Sequence, residues 1–133
     1  MRALATLRRL LRCSGAAAIE YALILPILLL FIFGMMDTAR LIWCYATLSR
    51  AVDAAARCAA INTTQCGTAA QIQNVAVSEA WGLTIAASAF TVATASCGIR
   101  VSGSFAFEFV MPGFNYVVPT GTVTLTAASC YPS

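Results

Sequence analysis

Residues 21–36, YALILPILLLFIFGMM, contain no charged side chain. With the alanine-rich residues before them, they form a segment, 16–36, whose only charge is Glu20. A helix of this length rises about 30 Å, the thickness of a bilayer's hydrocarbon core. The sequence therefore predicts a transmembrane helix over residues 16–36.

The charges on either side of this segment predict its orientation. Four arginines and no acidic residue come before Gly15, at positions 2, 8, 9 and 12. The positive-inside rule therefore places residues 1–15 in the cytoplasm and exports the rest of the chain. A cleaved secretory signal is the alternative, but it would carry small residues after its apolar core, and here they precede it. A permanent anchor is favoured.

Composition argues against an enzyme. Hydrophobic residues make up 60% of the chain and charged residues 10%, and the chain has no histidine and no lysine. The commonest general base and the commonest metal ligand are therefore missing. After residue 15 the positive and negative charges nearly balance, so no nucleic-acid binding is expected. We expect no enzymatic activity, no cofactor and no bound metal.

A helical pattern continues beyond the membrane segment, over residues 37–61. One face of it carries an apolar stripe spaced alternately by four and three residues. The stripe consists of Leu41, Tyr45, Leu48, Val52, Ala55 and Ala59. It predicts packing against the rest of the exported domain, or alternatively against the helices of other subunits. Trp43 and Tyr45 are candidates either for the outer membrane interface or for the core.

The remaining residues, 62–133, predict a small helix and an antiparallel sheet. Thr68 is a candidate cap for a helix over 68–80. Residues 99–109 alternate between apolar and polar as a half-buried strand does, and 84–94 and 121–130 are β-rich. The phenylalanines at 105, 107 and 109 are expected in the core rather than in an exposed patch. The fold class is therefore α+β, a long N-terminal helix on a small sheet of three or four strands, with a turn at 112–115.

Six cysteines in so short a chain indicate disulfides in an oxidising compartment. Cys13 lies in the leader and is expected to be a free thiol. Of the three connectivities open to four cysteines, we expect Cys58–Cys66, which closes a short loop, and Cys97–Cys130. A plain hairpin would place the second pair opposite each other.

That hairpin register has a flaw, since it sets Phe105 opposite Thr122 and puts the apolar residues on different faces. A bulge near residues 119–121 would repair it. Cys44 is left over, as a buried thiol or an intermolecular bridge.

The residues before the apolar stretch carry a family resemblance. The run GAAAIEY, from Gly15 to Tyr21, resembles the processing motif of type IV pilin-like proteins of the tight-adherence (Tad/Flp) system. The resemblance implies that a prepilin peptidase cuts between Gly15 and Ala16 and removes residues 1–15. Glu20 and Tyr21 would then be the fifth and sixth residues of the mature chain and would act in assembly.

The resemblance extends to about residue 60 and is closest to the TadE-like minor pilins, or pseudopilins. It implies a type IV pilin-like fold and a role in the initiation, assembly or tip of a Tad pilus, and so in cell adhesion. The implied partners are the prepilin peptidase, other pilins and pseudopilins, the assembly platform in the membrane, and membrane lipid. The implied location is the inner membrane, and the cell exterior once the subunit is in a pilus. The alternative is an uncleaved single-pass scaffold that recruits envelope proteins through its exported domain.

Overall fold

The protein is described by a computed structural model that covers residues 2–111 and 121–132, with side chains from residue 17 onward. The chain divides into two compact units, Met1–Asp37 and Thr38–Ser133. The predicted turn at 112–115 and residues 119–120 of the predicted bulge lie outside the described residues.

The first element is a single helix, α1, Arg2–Ile61, with Pro26 inside it. The stretch that begins at Ala17 is long and apolar enough to cross a membrane. Its large apolar side chains are exposed, from Leu29 at 41% to Ile27 at 73%. Such a surface needs lipid or other helices to cover it. The sequence prediction of a candidate membrane span is confirmed.

In the second unit, α1 buries a face rich in small residues. Leu48, Ala51 and Ala55 are fully buried, with Val52 nearly so. One member of the predicted stripe is wrong, because Tyr45 is 50% exposed and Cys44 is buried in its place. Both positions satisfy the spacing of three and four residues, and the structure buries the smaller side chain.

The second helix, α2, Ala69–Glu79, begins with a capping box. The Thr68 hydroxyl accepts a hydrogen bond from the backbone N–H of Gln71, and the Gln71 side chain accepts one from the backbone N–H of Thr68. Two backbone donors that the helix leaves unpaired are thereby satisfied. The predicted helix is confirmed, and its buried residues are Ile72 and Ala76.

Three antiparallel strands follow in the order β1-β2-β3, so that strands adjacent in the chain are neighbours in the sheet. Their bounds are β1 Phe90–Ala95, β2 Gly98–Glu108 and β3 Thr122–Tyr131. The strand predicted over 84–94 is shorter than expected, because a 3₁₀ turn at Ala87–Ala89 precedes it. The α+β fold class is confirmed.

The hairpin register expected from the cysteines is wrong. Phe105 pairs with Leu125, not with Thr122, and Cys130 pairs with Arg100. Cys97 lies outside the ladder, in the two-residue turn between β1 and β2. The observed register places the apolar residues of both strands on one face of the sheet, which allows that face to be buried.

That inner face covers α1. Phe90, Val101 and Phe107 are buried, and Phe105 and Phe109 pack partly buried against the same core. The phenylalanine row on β2 is therefore core, as predicted. Arg100 and Glu108, on the outer face, are exposed.

Strand β2 runs antiparallel to the domain's part of α1. At one end, Ile99 of the strand and Ala59 of the helix line the same cavity. In the middle, a Cβ on Gly103 would lie 3.2 Å from Leu48. At the other end, the Arg40 guanidinium lies over the Phe107 ring, 5.3 Å from its centre. The domain therefore has a proximal end, around Arg40 and Phe107, and a distal end, around Ala59 and Ile99.

Candidate functional site

The segment that carries the family resemblance lies in the N-terminal part of α1. The backbone of residues 15–21 is helical, and the side chains of Glu20 and Tyr21 are exposed, Tyr21 at 73%. Apart from its backbone, the predicted processing site at Gly15 and Ala16 lies outside the described part of the chain. In a helix, residues 16 and 20 are one turn apart on the same face. An amino group created at Ala16 would thus lie within reach of a carboxylate at Glu20.

Glu20 stands at the edge of a long apolar surface. Its neighbours Ile19, Leu23 and Ile24 are all more than half exposed. Whatever covers these side chains also meets the carboxylate. A charge in contact with lipid is costly, so this position favours a cationic partner or the polar edge of a bilayer.

The distal end of the domain carries two disulfides, and they join the cysteine pairs expected from the sequence. Cys58, in the last turn of α1, bonds to Cys66 before α2, with the Cα atoms 5.8 Å apart. Cys97, in the β1–β2 turn, bonds to Cys130 near the end of β3, with the Cα atoms 6.1 Å apart. Both bonds therefore hold the end of the domain opposite to Arg40.

Gly98 is needed for this arrangement. Its φ of 116° is in the region that only glycine adopts easily, and a Cβ there would collide with the carbonyl oxygen of Tyr131. A side chain at this position would push β3 away from the turn that holds Cys97. The glycine thus lets the second disulfide form across closely packed backbones.

Cys44 is the free cysteine among the described residues, and it is buried. Burial raises the pKa of its thiol, and the nearby Arg40 opposes this shift. A buried, protonated thiol is a poor nucleophile. Of the two predicted alternatives for Cys44, the structure shows the buried thiol.

Two polar links between elements were not found by sequence reasoning. The Ser129 hydroxyl of β3 donates to the Asp53 carboxylate of α1 at 2.9 Å, and the Gln73 side chain of α2 donates to the Phe90 carbonyl at 2.7 Å. Ser129 lies on the inward face of β3, opposite Val101, so a correct strand register would have indicated that its hydroxyl faces α1. The alternation alone gave no reason to choose Asp53.

Within the described residues, no three Cys, Asp or Glu side chains lie close enough together to hold a metal ion.

The fold and these features define a class: a protein with a long, exposed apolar N-terminal helix that continues into a small disulfide-bonded α+β domain. The model of the TadE-like protein family matches residues 15–57. This match takes in Gly15, Glu20 and the apolar stretch, and it ends before α2 and the sheet. The TadE-like resemblance is thereby confirmed over that segment, and it associates the chain with the Tad pilus. No curated protein and no solved structure matches the chain.

Proposed function

We propose that the protein is a minor pilin of a Tad pilus, anchored in the inner membrane by α1 until it is assembled. The observation that carries the proposal is the coincidence of the family match at residues 15–57 with an exposed apolar helix. Its role is structural and not enzymatic. The four arginines before Gly15 support a cytoplasmic N-terminus.

The first step of the proposed function is removal of the leader. A prepilin peptidase hydrolyses the peptide bond between Gly15 and Ala16. The C–N bond breaks, water adds its oxygen to the Gly15 carbonyl carbon to form the carboxylate, and its protons go to the peptide nitrogen, which becomes the amino group of Ala16. Gly15 suits such a cut, because it has no side chain and lets the backbone become extended inside a narrow cleft. Since this backbone is helical in the structure, the helix must open locally around Gly15 for the bond to be cut.

The second step is assembly, in which Glu20 holds the register between subunits. The Ala16 amino group of an incoming subunit pairs with the Glu20 carboxylate of its neighbour. Opposite charges attract more strongly in the low dielectric of a membrane edge than in water. The exposure of the Glu20 side chain on α1 allows another subunit to reach it.

The experiment replaces Glu20 with glutamine, which keeps the shape of the side chain and removes its charge. Glu20→Gln is expected to be cleaved normally but to be lost from pili sheared off the cells and from their initiation complex. Glu108→Gln is the matched control, because it makes the same change at an exposed position on the outer face of the sheet. If Glu20→Gln enters pili as well as the wild type does, the charge pairing is wrong and Glu20 only reaches toward the polar edge of the bilayer.

The alternative function, an uncleaved membrane scaffold that recruits envelope proteins through its domain, keeps the same anchor and the same export. It differs at the N-terminus, where Met1 rather than Ala16 would be the first residue.

A further inference from the structure

The exposed apolar side chains of the domain are concentrated at one end. Among the described residues of the second unit, six large hydrophobic side chains are at least half exposed. They are Ile42, Trp43, Tyr45, Ile61, Trp81 and Val110. All except Ile61 belong to the proximal end, and we call these five residues the proximal rim.

Three different elements contribute to the proximal rim. Ile42, Trp43 and Tyr45 lie on α1. Trp81, which is 74% exposed, precedes Gly82, and a Cβ on Gly82 would lie 2.6 Å from the Trp43 ring. Gly82 has a φ of 72° and no side chain, so the turn after α2 can approach that ring closely.

Val110 reaches the same end by way of β2. The strand passes Arg40 at Phe107, and Val110 lies three residues further along the chain in the direction away from the distal end. Val110 is 71% exposed. An apolar side chain so exposed, at the same end of the domain as two exposed tryptophans, is unusual on a surface that faces only water.

The position of the rim in the chain indicates what covers it. Trp43 follows Met36, the last residue of the uncharged stretch, by two helical turns in the same helix. Side chains on a helix lean toward its N-terminus, so those of Trp43 and Tyr45 lean toward the residues of α1 at which the domain begins. Tryptophan and tyrosine are enriched where a membrane meets water, because their rings are apolar with one polar atom.

We propose that the proximal rim lies in the headgroup layer of the bilayer that α1 crosses, so that the domain is docked on a lipid surface before assembly. Docking holds the disulfide-bonded distal end away from the membrane. This inference depends on the membrane location proposed above and not on the role in a pilus. Entry into a pilus would then require the rim to leave the lipid.

The chain has two tryptophans, and both belong to the rim, so intrinsic fluorescence reports on it directly. The full-length protein is reconstituted into phosphatidylcholine–phosphatidylglycerol vesicles whose acyl chains are brominated either near the headgroup or near the chain end. Trp43→Phe leaves Trp81 as the probe, and Trp81→Phe leaves Trp43. In each variant we expect emission shifted to the blue, with about two-fold quenching by the shallow bromines and less by the deep ones.

The matched control carries the probe at the distal end. Ile61→Trp, in a chain with both natural tryptophans changed to phenylalanine, places the ring at a site that is 71% exposed but distal. It is expected to emit as a water-exposed ring and to remain unquenched.

Two results would overturn the docking proposal: Trp81 emitting as in water without quenching, or the Ile61→Trp probe being quenched as strongly as Trp81. Carbonate extraction of the same vesicles tests insertion separately. Protein that is extracted refutes the membrane location and the docking together, whereas inserted protein with unquenched tryptophans refutes the docking alone.

Discussion

The two disulfides are expected to contribute unequally to the stability of the domain. Cys58–Cys66 joins residues 8 apart in the sequence and Cys97–Cys130 joins residues 33 apart. If a disulfide acts mainly by restricting the unfolded chain, the chain-entropy relation gives about 2.5 kcal/mol for the shorter loop and about 3.7 kcal/mol for the longer. Loss of the longer bond should therefore cost about 1 kcal/mol more.

The variants are chosen so that the core is disturbed as little as possible. Cys66 is buried, whereas Cys58 is half-buried and Cys97 is exposed. Cys58→Ala and Cys97→Ala therefore each break one disulfide, and neither variant alters the buried Cys66 side chain. The free energy of unfolding is measured by urea titration of the membrane-reconstituted protein, followed by circular dichroism. The chain-entropy reasoning is refuted if Cys58→Ala is destabilised as much as Cys97→Ala.

Two further predictions concern single side chains. Thr68→Ala removes the hydroxyl that caps α2, so the free energy of unfolding should fall by about 1 kcal/mol; an unchanged urea midpoint would contradict the importance of the capping box. Because burial raises the pKa of the Cys44 thiol, a thiol reagent should modify native protein slowly at neutral pH and faster as the pH rises, which mass analysis of the labelled protein measures. Rapid labelling at neutral pH, before any unfolding, would show that Cys44 is accessible.

Much of the fold could be predicted because single patterns determined it. The uncharged run at 21–36 predicted a helix long and apolar enough to cross a membrane, and the alternation at 99–109 predicted a half-buried strand. Thr68, as a candidate cap, likewise predicted the start of α2. These features are local, so no knowledge of distant contacts was needed.

The errors arose where two local solutions were equally good. Positions 44 and 45 both fit the apolar stripe of α1, and only the sheet packed against it decides that Cys44 is the buried one. The register of β2 and β3 was inferred from Cys97, a residue that the structure places in a turn. The proximal rim could not be foreseen either, because Gly82, the neighbour of Trp81 in the chain, lies against the Trp43 ring only in the folded domain.

For the residues of the family motif, the positions could be predicted from the sequence but their roles could not be read from the structure. Gly15, Glu20 and Tyr21 were found from the motif alone, and the family match covers the same residues. Their proposed roles depend on a peptidase and on neighbouring subunits, and a single folded chain contains neither.

Processing between Gly15 and Ala16 can be measured as the mass of the intact protein extracted from membranes. We predict a mature chain that begins at Ala16, and a Gly15→Leu variant that keeps its leader. Ala22→Leu, which adds the same side chain at an exposed position outside the motif, should be processed normally. A wild-type chain that still begins at Met1, or a Gly15→Leu variant that loses its leader normally, would contradict the account.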